Sequence, residues 1–370
     1  MVMEANIQNE QEIYELAKQS CTICNSCRYC EGFCAVFPAM ESRRDFKYQD
    51  IDYLANLCHQ CGECFYACQY APPHEFNVNI PSQFGDIRAI TYEKFAFGAK
   101  FGKFFNKNGF FASSVLMLCI FVLFLLVFYW NHWNLSRISY KGNFYEVLPY
   151  EVMVGVFSVV GILVLGSIAI GFMNFFSSLK EKEKINLICV FQGIFDALSL
   201  KYLGGYHHEG CTYSQNSRSN TRKYFHHFAF YGFLFCFVAT CLGGFYDHFL
   251  HQSAPYAFLS APKLFGTFGG IFLCIGTLGL FVLKLKMDKR LKSLKSMGMD
   301  YAFIFSLFIV SLSGLCLMLL RKNDGAMVFL VLFHLSAVLA LFLIMPYGKF
   351  IHGFYRIAAL IKYALETKKS

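Results

Sequence analysis

A chain of 370 residues has room for two or three domains. With apolar residues at 56% and charged residues at 15%, it lies far from a soluble composition, in which ~25% is charged. Forty-four phenylalanines and this apolar share exclude an ordinary water-soluble fold, and the net charge of +9, which would otherwise raise nucleic acid as a partner, is explained below by where the cations lie.

The segment Met1–Ser20 is polar and helix-like, without the apolar core of a secretory leader, so the chain is expected to start in the cytoplasm. Nine of the sixteen cysteines then fall between Cys21 and Cys68, and the other seven are scattered through apolar segments. In a cytosolic setting such density points to metal and not to disulfides. Cys24, Cys27, Cys30 and Cys34 are spaced C-x2-C-x2-C-x3-C, and Cys58, Cys61, Cys64 and Cys68 repeat that spacing. This is the run of bacterial two-cluster ferredoxins, in which three cysteines hold one cubane and the fourth crosses to the other. Cys24, Cys27, Cys30 and Cys68 are thus expected around one [4Fe–4S] cluster, and Cys58, Cys61, Cys64 and Cys34 around the second. The proline that usually follows the fourth cysteine is absent; Pro38 and Pro72 come four residues later. Zinc is the competing metal, but its sites typically use C-x2-C pairs and not two complete quartets. Cys21 reads as a spare thiol or an alternative ligand, and His59 and His74 as surface or supporting residues.

After a linker at 91–109, six uncharged stretches are long enough for a bilayer, which takes ~20 residues. They run Phe110–Trp130, Val152–Phe176, Tyr224–Tyr246, Leu264–Leu283, Tyr301–Leu320 and Gly325–Gly348. In lipid the backbone must satisfy its own hydrogen bonds, so these are expected to be helices. With the N-terminus inside, the inner segments 177–223, 284–300 and 349–370 hold 7, 6 and 5 Lys or Arg, and the outer segments 131–151, 247–263 and 321–324 hold 2, 1 and 2. The asymmetry assigns both termini to the cytoplasm and accounts for the positive charge as topology, without nucleic acid. The expected architecture is an α-helical membrane protein: a six-helix transmembrane bundle at 110–352, an N-terminal ferredoxin-like α-helical module at 1–90, and a cytoplasmic tail at 353–370.

Ionisable side chains inside a span are costly and therefore candidates for function. His334 lies well inside the last stretch and His352 ends it, eighteen residues on. On one continuous helix they share a face about 27 Å apart, with Pro346 kinking the helix between them. His226 and His227 open the third span and His248 closes it. If these two spans are antiparallel neighbours, His352 meets His226 or His227 near the inner surface and His334 meets His248 near the outer one. Each pair would supply the bis-imidazole ligation of a haem b; His132 and His251 are alternative outer ligands. The loop holding Asp196, Gly204, Gly205, His207, His208, Gly210 and Cys211 reads either as a structural cover or as a quinone headgroup site at His207 or His208. Cys211 follows no metal spacing and reads as a plain buried cysteine.

The last span, with its two histidines around an LFL…P segment, resembles the haem-bearing fifth helix of the cytochrome b subunit of respiratory nitrate reductase. The third span lacks that family's two closely spaced histidines after His227. A broader resemblance rests on CTICNSCRYCEGFCAVFPA, LANLCHQCGECFYACQYAPPHEFNVNIP, DALSLKYLGGYHHEGCTYSQ and RKYFHHFAFYGFLFCF, in that order. These are similar to the tricarballylate or citrate utilisation protein B family. That resemblance implies a bacterial inner-membrane electron carrier with [4Fe–4S] clusters and haem b, which reoxidises a partner flavoprotein dehydrogenase and passes electrons to quinone. No dinucleotide fingerprint is present, so the flavin would belong to a separate subunit. A sulfur enzyme such as a heterodisulfide-reductase-like partner, or a membrane redox sensor, are the other readings.

Overall fold

A computed structural model of the chain describes residues 2–131, 142–179, 185–204, 211–214, 217–252, 254–257 and 259–368. The N-terminal module is built from α1 (Val2–Cys27), α2 (Val36–Glu41), α3 (Tyr48–Leu57), α4 (Glu63–Tyr66) and α5 (Ile80–Phe95). Its core is Tyr53, Leu54, Phe84, Ile87 and Tyr92, each almost wholly buried. Asp52 is buried among them, accepting from Tyr14 Oη at 2.5 Å and paired with Lys94 at 2.9 Å, so the buried carboxylate is satisfied. The first cysteine quartet begins in the last turn of α1 and ends just before α2; the second begins at the C-cap of α3 and ends after α4. Left-handed backbone at Arg28 (φ 56°), Gln60 (φ 53°) and Gly62 (φ 85°) turns the chain tightly inside both quartets.

The six long apolar helices are the expected spans. Residues Asn108–Asn131 form the apolar part of α6 (Ala99–Asn131), and α7 (Tyr150–Leu179), α9 (Thr221–His248), α10 (Ala261–Lys286), α11 (Leu294–Leu320) and α12 (Asp324–Ile344) are the others. Leu163, Leu165, Phe237 and Leu319 are exposed on them, as a lipid-facing surface requires. Helices α9 and α10 approach closely through glycine: a Cβ on Gly276 would stand 2.3 Å from the Ala229 nitrogen, and one on Gly232 2.5 Å from the Leu273 nitrogen. The segment taken as a linker at 91–109 is helix for most of its length, with the chain bending at Asn108 (φ −133°) inside α6.

The last span differs from its expected form. Helix α12 stops at Ile344, a 3-10 turn covers Lys349–Ile351, and a separate α13 runs His352–Thr367. Met345 keeps helical backbone (φ −51°, ψ −47°), but Pro346 has no N–H to continue the ladder, so the helix ends where a kink was expected. His334 and His352 therefore do not share one helix. The 353–370 region, expected as a tail, is mostly α13, which buries Tyr355, Ala358, Ala359, Leu360 and Ile361. It packs on α8 (Leu187–Leu198), where Gly193 lies against the Ile361 backbone, and Tyr355 stacks on Phe175 with ring centroids 4.7 Å apart. A short antiparallel hairpin, β1 (Cys211–Ser214) and β2 (Ser217–Ser219), precedes α9.

Candidate functional site

The cysteines fall into the two crossed groups that their spacing implies. A cavity is lined by Cys34, Cys58, Cys61 and Cys64 and closed by Phe33, Phe37, Ile80, Pro81 and Tyr202. Cys24, Cys27, Cys30 and Cys68 are mutual neighbours: burial, then the nearby sulfurs, pushes the Cys24 thiol (beside Cys30, Cys68 and Cys27) and the Cys30 thiol (beside Cys68 and Cys27) up to about 12. Among the described residues no three His, Cys, Asp or Glu side chains converge as a single metal ion needs. The four thiols of the second group surround a volume and not a point, which suits a cluster better than zinc. Cys21 is buried beside Cys24 in α1. His74 stays local, accepting from the Phe76 N–H at 3.1 Å and packing on Tyr70. Cys211, read as a plain buried thiol, lies against Leu203, to whose carbonyl it donates at 3.4 Å, and is hydrogen-bonded to Cys61. Arg218 of β2 pairs with buried Glu63 at 3.1 Å, so the hairpin covers the second cysteine group.

Three arginines hold the Cys58–Gln60 loop. Arg88 donates to the Cys58 carbonyl at 2.7 Å, to the Ala55 carbonyl at 3.1 Å and to Gln60 Oε1 at 2.9 Å. Arg222 donates to the Gln60 carbonyl at 3.0 Å. Arg356 donates to the Cys58 carbonyl at 2.7 Å and to His59 Nδ1. Burial and then the Arg356 and Arg222 cations hold the His59 imidazole well below its usual range, and so neutral. Beyond His59 stand His226 and His352, with ring centroids 6.0 Å apart and planes at 79°. His352 Nδ1 donates to the Lys349 carbonyl at 2.5 Å, which fixes the tautomer and leaves Nε2 without a proton in the neutral ring. His226 Nδ1 is buried without a partner. His227 points away from this pair, hydrogen-bonding the Leu198 backbone and packing on Tyr231. Of the two adjacent histidines, the structure brings His226 to His352.

The outer histidines are not brought together. His334 bonds Ser313 Oγ through Nδ1 at 2.9 Å and lies over Gly314, so it faces α11. His248 is near the outer end of α9 and bonds Tyr150 Oη of α7 at 3.0 Å. Their expected meeting assumed that α9 and α12 are neighbours, whereas α9 packs along α10. His251 is exposed in a left-handed turn (φ 51°), and His132, Gly205, His207, His208 and Gly210 lie outside the described residues. Asp196, expected in that loop, lies in α8 and is satisfied locally by Gln192 (2.6 Å), Tyr202 (3.3 Å) and Lys201 (3.5 Å). The sequence reading missed the role of Arg88, Arg222, Arg356 and His59. The signal available was the spacing R-x3-H at 222–226 and H-x3-R at 352–356, which places each pair on one helix face.

Residues 17–94 match the family described as the Citrate utilization protein B Fer4-like domain, and residues 108–370 match Citrate utilization protein B. The chain is 40% identical over 369 residues to a Citrate utilization protein B of Escherichia coli, covering 100% of this chain and 96% of that one. No solved structure matches it. An iron–sulfur type N-terminal domain, fused to six apolar spans and matched along its whole length, places this chain in the citrate utilization protein B family.

Proposed function

We propose that the protein carries electrons from a partner flavoprotein dehydrogenase, of the citrate or tricarballylate type, to membrane quinone. Two [4Fe–4S] clusters and a haem b supply the one-electron carriers. The single observation behind the reading is the placement of His59. It directly follows Cys58 of the second cysteine group, is held by Arg356, and stands next to the His226–His352 pair, so the cysteine group and the histidine pair adjoin within one packed core. His226 and His352, with ring centroids 6.0 Å apart, would hold the haem b. The buried, unpartnered Nδ1 of His226 also fits a ring that awaits a ligand.

This chain's own part is positional. Cys24, Cys27, Cys30 and Cys68 would hold one cluster; Cys34, Cys58, Cys61 and Cys64 the other. The arginine-bound carbonyls of Ala55, Cys58 and Gln60 fix the second loop against the bundle, and the hairpin shields it from water. The oxidation of the organic acid is assigned to the partner flavoprotein. The cytoplasmic inner-membrane face is supported by the cation count and by where the module sits. It bonds the α10–α11 connection through Gln60 to Leu291 O (2.8 Å), Asn79 to Arg290 O (2.8 Å) and Ser293 to Asp86 (2.7 Å).

The test is a dithionite-reduced minus oxidised visible spectrum of detergent-purified protein, with haem and non-haem iron counted per chain. One b-type haem with about eight non-haem irons, as two [4Fe–4S] clusters require, is the expected result. Haem lost in His226→Ala and His352→Ala but kept in His248→Ala would match the geometry. Iron without haem would overturn the bundle half of the reading.

A further inference from the structure

The two helices that present the facing histidines each present an arginine one turn away. Arg222 is four residues before His226 on α9, and Arg356 is four residues after His352 on α13. That spacing keeps each pair on one helix face. Both arginines also reach the second cysteine loop, Arg222 at the Gln60 carbonyl and Arg356 at the Cys58 carbonyl. Arg356 is the more telling of the two. Its Nη atoms are used by His59 and by Cys58, but its Nε is buried without any partner. The groups that act on it most strongly are the Arg88 and Arg222 cations, Tyr92 and Cys58.

A buried guanidinium among other cations demands an anion. Among the described residues the nearby acids are committed elsewhere: Asp300 to Lys284 and Lys349, Asp52 to Lys94 and Tyr14, Asp86 to Ser293, Glu63 to Arg218. A bound group that carries an anion would meet this cation. The cysteine cage contributes negative charge on the Cys58 side. On the other side, Arg356 is within electrostatic range of both His226 and His352. A b-type porphyrin carries two carboxylates, and two arginines flank the ring pair that would ligate it.

We propose that Arg356 and Arg222 bind the propionate carboxylates of the macrocycle held between His226 and His352, while their remaining donors grip the carbonyls of the second cysteine loop. This rests on the haem reading given above. Each arginine then ties the two redox groups together, through a charge-assisted bond on one side and a backbone bond on the other.

The experiment uses the intact holoprotein in detergent. Haem loss to excess apomyoglobin and the haem midpoint potential are measured in the wild type, Arg356→Gln, Arg356→Lys and Arg222→Gln/Arg356→Gln, with iron content and the cluster electron paramagnetic resonance signal followed in parallel. Loss of one buried charge-assisted bond corresponds to roughly a tenfold or greater change. Haem loss in Arg356→Gln should accelerate by about that factor and the haem midpoint should fall, since a nearby cation is gone. Arg356→Lys should lie between it and the wild type, and the double variant beyond it, with iron unchanged. Unaltered haem loss and midpoint in Arg356→Gln would overturn the proposal. If that variant loses iron along with haem, Arg356→Lys decides: full iron with haem loss still faster than in the wild type supports the anchor, and either loss of both or wild-type behaviour in both shows only a brace for the cysteine loop and overturns it. Failure of the underlying haem reading is visible separately, as a wild type that holds no haem.

Discussion

Asp300, at the module end of α11, sits between Lys284 at 2.5 Å and Lys349 at 2.8 Å, all three largely buried. Burial pushes Lys349 down to about 8 even though Asp300 pulls it up, so the carboxylate is what keeps two buried ammonium groups tolerable. Asp300→Asn leaves both cations without it, and a loss of about 3–5 kcal/mol is expected, read as a lower midpoint of thermal unfolding in detergent. The cysteine cages give a second prediction at this scale. Cys24 and Cys30 are pushed up to about 12, so near neutral pH the empty cage holds thiols whose protons must leave when iron binds. Iron uptake on reconstitution should therefore improve as pH rises from 7 toward 9, measured as iron per chain; a flat profile would count against the thiol assignment. The cysteine grouping was legible in the sequence because cubane ligation fixes the spacing of its loops. The choice between His226 and His227 was not. Consecutive residues point in different directions on a helix, and only the packing of α9 against α8, α10 and α13 decides which one meets His352. Arg222 and Arg356 were visible only as part of a cation count, because nothing local marks an arginine that turns inward.

At the scale of elements, the spans were readable because lipid leaves the backbone no alternative to helix. Two readings went beyond what hydropathy carries. The run through Met345–Pro346 is apolar without interruption, so it looked like one span; the proline and the following 3-10 turn split it and swing α13 onto α8 and α3. The expected outer pair, His248 with His334, assumed a neighbour relation that the sequence does not encode. Small residues do encode one, after the fact: Gly232 and Gly276 let α9 and α10 touch backbone to backbone. Gly276→Leu is expected to separate these helices and displace His226, giving little monodisperse protein on size exclusion and reduced haem. Gly155→Ala, where nothing lies within 4 Å of the added carbon, should leave both measures unchanged.

Across the whole molecule, module and bundle are a single interlocked body among the described residues. Arg43 of the module pairs with Glu366 of α13 at 2.5 Å, Tyr53 Oη donates to the same carboxylate at 2.9 Å, and Arg356 braces the Cys58 loop. The linker at 91–109 and the cytoplasmic tail at 353–370 were drawn from composition alone; a change in hydropathy marks the edge of the membrane and says nothing of which segments pack on each other. Removal of residues 353–370 is expected to cost iron as well as haem, checked by metal analysis of the shortened chain beside the full one. The same contact bears on the order in which the protein can mature. Cys58 and the arginine that braces it are 298 residues apart; at about 5–20 residues per second, a ribosome needs roughly 15–60 s to make that stretch. The Cys58–Gln60 loop, held early by Arg88, therefore waits through the synthesis of all six spans for its last brace, which arrives only with the final helix. The full set of contacts around the second cysteine loop is thereby complete only when translation is nearly finished.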